Sequence, residues 1–226
     1  MPLIVFLLAL LFFSQAWADA CDQLPKPSVT VKRIEARITL NTKYNYKEIT
    51  HLGAELARPG NWVLGLTRGS GVAQFGTQTP AYIDPTGQWE CTSPQLTVSI
   101  GFSPMTVYVA KEFPEGGCAY QEIYQHEQRH VKAYQAHIGK IEKDITDTLN
   151  SRFATGAPWR GPSGQTRARL QDEINERWLP YLQRELKRVE TEQALIDTPE
   201  EYERVANSCN GEIKKLRGDP SPALKR

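Results

Sequence analysis

Residues 126 to 130 read His126-Glu127-Gln128-Arg129-His130, two imidazoles four positions apart with a carboxylate directly after the first. On a helix, residues four apart lie about 40° apart around the axis and about 6 Å along it. Both imidazoles then reach one metal ion from the same face. Zn2+ accepts such nitrogen donors, and Glu127 stands where it can act as general base on zinc-bound water and later as acid to a leaving amine. The chemistry expected of this pattern is hydrolysis of a peptide bond. By background composition, a stray H-E-x-x-H arises in well under about one chain in a hundred of this length.

The motif must be held by a helix, and the sequence supplies one. From Cys118 to Phe153 the apolar residues Ile123, Tyr134, Ile138, Ile141, Ile145 and Leu149 recur at helical spacing. Taking Tyr134 as the centre of that stripe, Glu127 lies about 20° off, His130 about 40° and His126 about 80°, at about 100° per residue. All three therefore face the core, where unpartnered polar groups are costly. A metal would satisfy them; the alternative is an internal polar cluster, with Glu127 paired to Arg129 or to a basic residue of a second helix. That second helix is predicted from Thr166 to about Ile196, with Leu170, Ile174, Trp178, Leu182, Leu186 and Val189 on one face and a kink at Pro180. Residues 157–164 read as a turn-rich connector, so the two helices form a hairpin. Thr198-Pro199-Glu200-Glu201 starts a last helix, with threonine as cap and proline in the first turn.

The half before the motif is strand-rich. Val29 to Leu40 alternates apolar and polar residues, as do Gln95 to Ile100 and Met105 to Ala110. Asn61 to Leu66 and Gly71 to Phe75 are further strand candidates around a glycine-rich turn. Tyr46 to Ala57 has helical spacing and stops at Arg58-Pro59-Gly60. The fold class is α+β: an antiparallel sheet with one helix, then the long motif helix and the second long helix. Residues 21–117 and 118–226 are two parts of one domain.

A zinc site open to substrate needs a third protein ligand. His137 shares the helix face but lies about 10 Å along the axis from His130, too far for one ion. A glycine three residues after the second histidine would end the helix and bring a later ligand round; that position is Ala133. A carboxylate from the second helix fits better. An antiparallel hairpin turning within residues 154–162 sets the level of residue 128 against about residue 189, where Glu185, Glu190 and Glu192 lie. Glu190 is the choice among them. Tyr134 and Tyr181 are candidate oxyanion donors, and His51 reads as structural.

The chain has 226 residues, with 27 Lys and Arg against 26 Asp and Glu. That balance gives no electrostatic case for nucleic acid. Leu3 to Phe13 is an apolar run of signal-peptide length, too short to span a bilayer, and two A-x-A sites end at Ala18 and Ala20. Residues 1–20 are therefore an expected signal peptide, the mature protein is periplasmic or secreted, and stable membrane insertion is not expected. Cys21 follows directly, but Asp19 stands where a lipoprotein signal carries a small residue, which disfavours lipidation. Cys21, Cys91, Cys118 and Cys209 form an even set in an exported chain and imply two disulfides. The favoured pairing is Cys91–Cys118, closing a local loop, with Cys21–Cys209 tying the termini.

With these features the chain resembles a bacterial family of predicted secreted zinc-dependent proteases, grouped as domain of unknown function 922. The resemblance is carried by the signal segment, the strand-rich first half, Cys118 shortly before the motif, and His126 to His130. It implies a zincin-like fold, a zinc cofactor and a peptide or protein substrate. The family carries an acid and then a Thr-x-His-Gly element on the second long helix. Val189-Glu190 resembles the acid's setting, whereas the histidine has no counterpart in Ala194-Leu195-Ile196. Two functions are expected. One is a zinc metallopeptidase with His126, His130 and Glu190 on the metal and Glu127 as base. The other is a non-catalytic envelope protein that keeps the fold, or a closed zinc site, for structure or partner binding.

Overall fold

The computed structural model describes residues 19–35, 37–54 and 62–217. The expected signal segment lies outside them except for Asp19 and Ala20, as do residues 55–57 of the first predicted helix. In chain order come a 3₁₀ turn (Ala20–Gln23), β1 (Ser28–Ile34), β2 (Ile38–Asn41), α1 (Tyr46–Leu52), β3 (Gly65–Gln78), β4 (Ala81–Ile83), β5 (Trp89–Thr92) and β6 (Gln95–Val109). The second half holds α2 (Cys118–Phe153), β7 (Trp159–Pro162), α3 (Thr166–Glu173), a π turn (Ile174–Trp178), α4 (Leu179–Lys187) and α5 (Val189–Ala194). Helix α6 (Pro199–Asn207), a 3₁₀ turn (Cys209–Gly211) and α7 (Glu212–Arg217) close the described chain. The architecture is mixed α and β, with strands in the first half and long helices in the second.

The strand β6 organises the main sheet. It pairs antiparallel with β3 along one edge and parallel with β1 and β2, one after the other, along the opposite edge. The parallel ladders correct the wholly antiparallel sheet read from alternation alone. β1 and β2 keep the same offset to β6, so the described parts of the predicted strand from Val29 to Leu40 run beside β6 in one register, with pairing up to Ile34 and again from Ile38. Pro104 of β6 lies opposite that interruption, and on the other edge the register with β3 shifts between Gly69 and Gly71. A proline has no N–H for the ladder and sits in a sheet only at such irregularities. The irregularity changes which residues face the core: Leu96, Val98, Ile100 and Phe102 before Pro104, Met105, Val107 and Val109 after it. This phase change is why the two predicted strands of residues 95–110 are one bent strand. Likewise, Gly65 to Gln78 is one strand where the sequence pattern suggests two around a turn.

Helix α2 lies across the main sheet. Its residues Val131, Ile138, Ile141, Ile145, Leu149 and Phe153 meet Leu96, Val98, Ile100 and Phe102 of β6, together with Leu170, Ile174, Trp178, Leu182, Leu186 and Val189 of the returning helices. The return is a rod with local irregularities. Ahead of Pro180 the backbone widens into a π turn, in which Leu179 N–H reaches Ile174 O, five residues back. A proline inside a helix removes an N–H and crowds the carbonyl four residues earlier, which the wider turn relieves. A second break at Arg188 separates α4 from α5.

The connector departs from expectation. Trp159–Pro162 is a strand, β7, which pairs with β5 in a small antiparallel sheet ordered β4-β5-β7. The two expected disulfides are replaced by Cys21–Cys91 and Cys118–Cys209. The first ties the N-terminal turn to β5; the second ties the start of α2 to the segment after α6. The expected partners, Cys91 and Cys118, are separated by all of β6, which carries the chain from the small sheet to the far end of the main one. Sγ of Cys21 is engaged in the disulfide, so that atom has no place for a lipid thioether. Among the described residues no helix is long and apolar enough to cross a membrane.

Candidate metal centre

His126, Glu127 and His130 sit in the third and fourth turns of α2, 8%, 3% and 7% exposed. The stripe geometry turns all three toward the core, and there they lie. One donor atom from each falls within 4.8 Å of the others, so the group could hold a metal ion. The finer arrangement is tighter. His126 Nε2 and His130 Nε2 lie 3.1 Å apart. Asp197 Oδ1 stands 3.1 Å from the first and 3.3 Å from the second. In a tetrahedral ion bonded at about 2.0–2.2 Å, neighbouring donors lie about 3.3–3.6 Å apart. The two nitrogens and the carboxylate oxygen form a triangle slightly smaller than that, so this donor set fits such an ion.

The outer nitrogen of His130 is held so that its inner one is free to donate, whereas that of His126 has both an acceptor and a donor beside it. His130 Nδ1 meets Gln193 Oε1. Gln193 is oriented by its own amide, whose Nε2 donates to the His130 carbonyl at 3.2 Å. Its Oε1 can only accept, so in the neutral ring of His130 the proton sits on Nδ1 and Nε2 keeps the lone pair a metal would take. His126 Nδ1 lies 3.3 Å from Glu201 Oε1 and 2.8 Å from Arg129, which is itself paired to Glu201. Carboxylate or amide partners on the outer nitrogen of a ligating histidine fix ring orientation and raise its basicity.

Glu127 faces β3. Its Oε2 accepts the Thr67 hydroxyl at 2.8 Å, and the same hydroxyl lies 3.1 Å from the Glu127 carbonyl. The close approach of β3 to α2 here needs a glycine: a Cβ at Gly65 would stand 2.6 Å from Glu127 Oε1 and 2.6 Å from Ile123. Burial raises the Glu127 pKa, and the charges of His130 and His126 and the Thr67 hydrogen bond pull it back only in part. A carboxyl held high is suited to exchanging a proton near neutral pH.

Charge around the imidazoles is set by the same contacts. Burial alone would lower the His130 pKa, but the hydrogen bond to Asp197 and the Glu127 carboxylate raise it above the ordinary histidine value. Burial alone would raise the Asp197 carboxyl, but hydrogen bonds from His126 and His130 hold it well below the usual carboxylate range. Arg204 foremost, with Arg129 and His126, brings Glu201 down to about 2. A groove of about 530 Å³ runs beside His126 on the outer side of α2, lined by Glu122, Gln125, Arg129, Lys132 and Arg204 among others.

The carboxylate against the imidazoles is Asp197, not Glu190. Glu190 is exposed on α5, directly after the buried Val189. The discrepancy has a plain cause. Arg152 pairs with Glu173 and His126 with Asp197, so the hairpin turns near residue 162 rather than 158. The strand β7 takes up chain before the return begins, and everything opposite α2 moves on by about two helical turns. The other candidates are engaged elsewhere: Glu192 accepts from Lys140 at 2.8 Å, Glu185 from Arg188 at 2.9 Å, and His137 binds the Glu185 carbonyl at 2.8 Å. Tyr134 packs edge-on to Phe102 and Tyr181 to Trp178. Tyr202, which no sequence pattern singles out, has its ring 6.4 Å from His126. His51 is exposed on α1 and is not part of the group at the centre. Sequence reasoning misses Asp197, Gln193, Glu201 and Thr67. A correct turning point for the hairpin points to the first.

No family model, no curated protein and no solved structure matches this chain.

Proposed function

We propose that the protein is a zinc-dependent metallopeptidase acting in the periplasm or outside the cell. The observation that carries this reading is the triangle of His126 Nε2, His130 Nε2 and Asp197 Oδ1, with Glu127 on the same helix face within 4.8 Å of the imidazole donors. Two nitrogens and one carboxylate are the ligand set of catalytic zinc in several peptidases, and three protein ligands leave a fourth position for water or substrate. Zinc supplies Lewis acidity, acidifying water and polarising a carbonyl.

The chain's own residues supply the rest. Gln193 holds the His130 ring in the donating orientation, and Glu201 with Arg129 fixes the position of the His126 ring. Thr67 fixes the Glu127 carboxylate through Oε2, leaving Oε1 to take the proton from the attacking water and pass it to the departing amine. The raised pKa of Glu127 suits both halves of that transfer. Export is supported by the apolar segment with its A-x-A sites and by the two disulfides, since such bonds form and persist in oxidising compartments. A peptide or protein is the substrate class this chemistry takes.

A second reading has its own support. Glu127 belongs to the same tight group as the imidazoles. If it ligates as well, four protein donors close the site, and the zinc is structural. Glu127→Ala distinguishes the two. The peptidase reading predicts that the variant binds zinc with nearly wild-type affinity and loses about 10²–10⁴-fold in kcat on a peptide library. Loss of zinc together with no cleavage by the wild type would favour the structural site.

A further inference from the structure

His137 is 3% exposed, carries two hydrogen-bonding nitrogens, and has no part in the chemistry above. Its partners lie on either side of one feature, the break between α4 and α5 at Arg188. Nε2 donates to the carbonyl of Glu185, in the last turn of α4, at 2.8 Å. Nδ1 lies 3.4 Å from Oε1 of Glu192, in the first turn of α5. Glu192 is held from its other side by Lys140, 2.8 Å away, one turn further along α2. A single buried ring on α2 thus touches the end of one helix and the start of the next, donating to the first and, where it carries both protons, to the second as well.

Beyond the break lies the outer half of the metal centre. Gln193 comes directly after Glu192 and holds His130 Nδ1. Asp197 comes four residues later, past the end of α5, and completes the triangle. Helix α5 has one buried residue, Val189, at its very start. Apolar packing therefore fixes where α5 begins, and the polar contacts of Glu192 and Gln193 fix where it points.

We infer that His137 is a positioning residue for the metal centre: by bridging the Glu185 carbonyl and the Glu192 carboxylate it sets the direction of α5 and so the placement of Gln193 and Asp197 on the imidazoles. The inference rests on the proposed metal site and not on peptidase activity. Its test is zinc affinity, measured by chelator competition on the oxidised full chain, with circular dichroism of the zinc-free protein as the check on folding.

His137→Ala is expected to weaken zinc binding by up to about 10-fold, the lower end of the range for a lost partner of a ligand, because His137 acts through Gln193 and Asp197. His137→Gln keeps an N–H in reach of the Glu185 carbonyl and is expected to recover most of that loss. Glu192→Ala removes the α5 arm from a half-buried position and is expected to weaken binding several-fold, which keeps the inference testable if His137→Ala fails to fold. Folded His137→Ala with wild-type affinity would overturn it, as would His137→Gln as weak as His137→Ala, or Glu192→Ala with unchanged affinity. A wild type that binds no zinc would overturn the metal site and this inference with it, an outcome distinct from the other three.

Discussion

The H-E-x-x-H motif of α2 and the stretch of the helix beyond it are both buried, and they are buried by opposite means. From Ile138 to Phe153 the inward positions are Ile138, Ile141, Ile145, Leu149 and Phe153, each meeting apolar side chains of the sheet and the returning rod. From His126 to His130 the inward positions are two imidazoles and a carboxylate, each matched to a specific donor or acceptor. The distal end gains from non-directional burial, about 25 cal/mol per Å² of apolar surface. The motif itself, set between Ala119, Tyr120 and Ile123 of a second apolar cluster and Val131 of the main core, gains little from burial and depends on every polar atom finding its partner. Apolar burial thus holds α2 on both sides of the motif, and the motif's polar groups stand where a metal could tie them together.

The difference is sharpened first by truncating the distal stripe. Leu149 is fully buried, so Leu149→Ala should cost about 2–5 kcal/mol of folding free energy. Chemical denaturation reads that cost, and zinc affinity of the folded variant should be unchanged. A large loss of zinc affinity in folded Leu149→Ala would mean that the two ends are not independent.

Next in size comes the carboxylate that distinguishes the observed site from the hairpin reading of the sequence. Asp197→Ala should weaken zinc binding by at least the about 10–100-fold that even an outer partner contributes. Glu190→Ala, at an exposed position on the same helical return, should leave it within about two-fold. The reverse pattern in a chelator titration would restore Glu190 and remove Asp197.

The smallest effect is the pH response. Without metal, Asp197 and His130 are the two sides of one interaction. The depressed Asp197 carboxyl contributes stability above its unfolded pKa, lost as pH falls through its folded value. The raised His130 contributes stability below its unfolded pKa, lost as pH rises through its folded value. The zinc-free protein should therefore lose a little stability as pH rises from just below the ordinary histidine range to above it. The zinc-loaded protein should gain over the same window, because ligation requires neutral imidazoles and protons compete with the metal. Thermal melts with and without zinc across that window check the crossing of the two trends.

The parts of this site that are legible in the sequence are local. His126, Glu127 and His130 lie within five residues of one helix, and helical periodicity alone turns them inward together. Asp197 is 71 residues from His126 and lies in a bend after α5, where no periodicity marks it. Its position depends on how much chain the connector consumes, and Trp159-Arg160-Gly161-Pro162 has the composition of a turn while forming a strand on a separate small sheet. Tertiary pairing with β5 decides that segment against its local preference. The parallel course of β1 and β2 beside β6 is hidden for a related reason: alternation identifies a strand but not its neighbours. The cysteines give the number of bridges and not their partners, because Cys118 and Cys209 lie 91 residues apart and meet only where the segment after α6 lies against the start of α2.

The central claim is that the buried imidazole pair is a zinc site. The most direct measurement is the zinc content of the oxidised mature protein by elemental mass spectrometry, wild type beside His126→Ala. The account predicts about one zinc per wild-type chain and almost none in the variant. No zinc in the wild type after reconstitution would contradict it and leave His126, His130, Asp197 and Glu127 as a self-contained polar cluster.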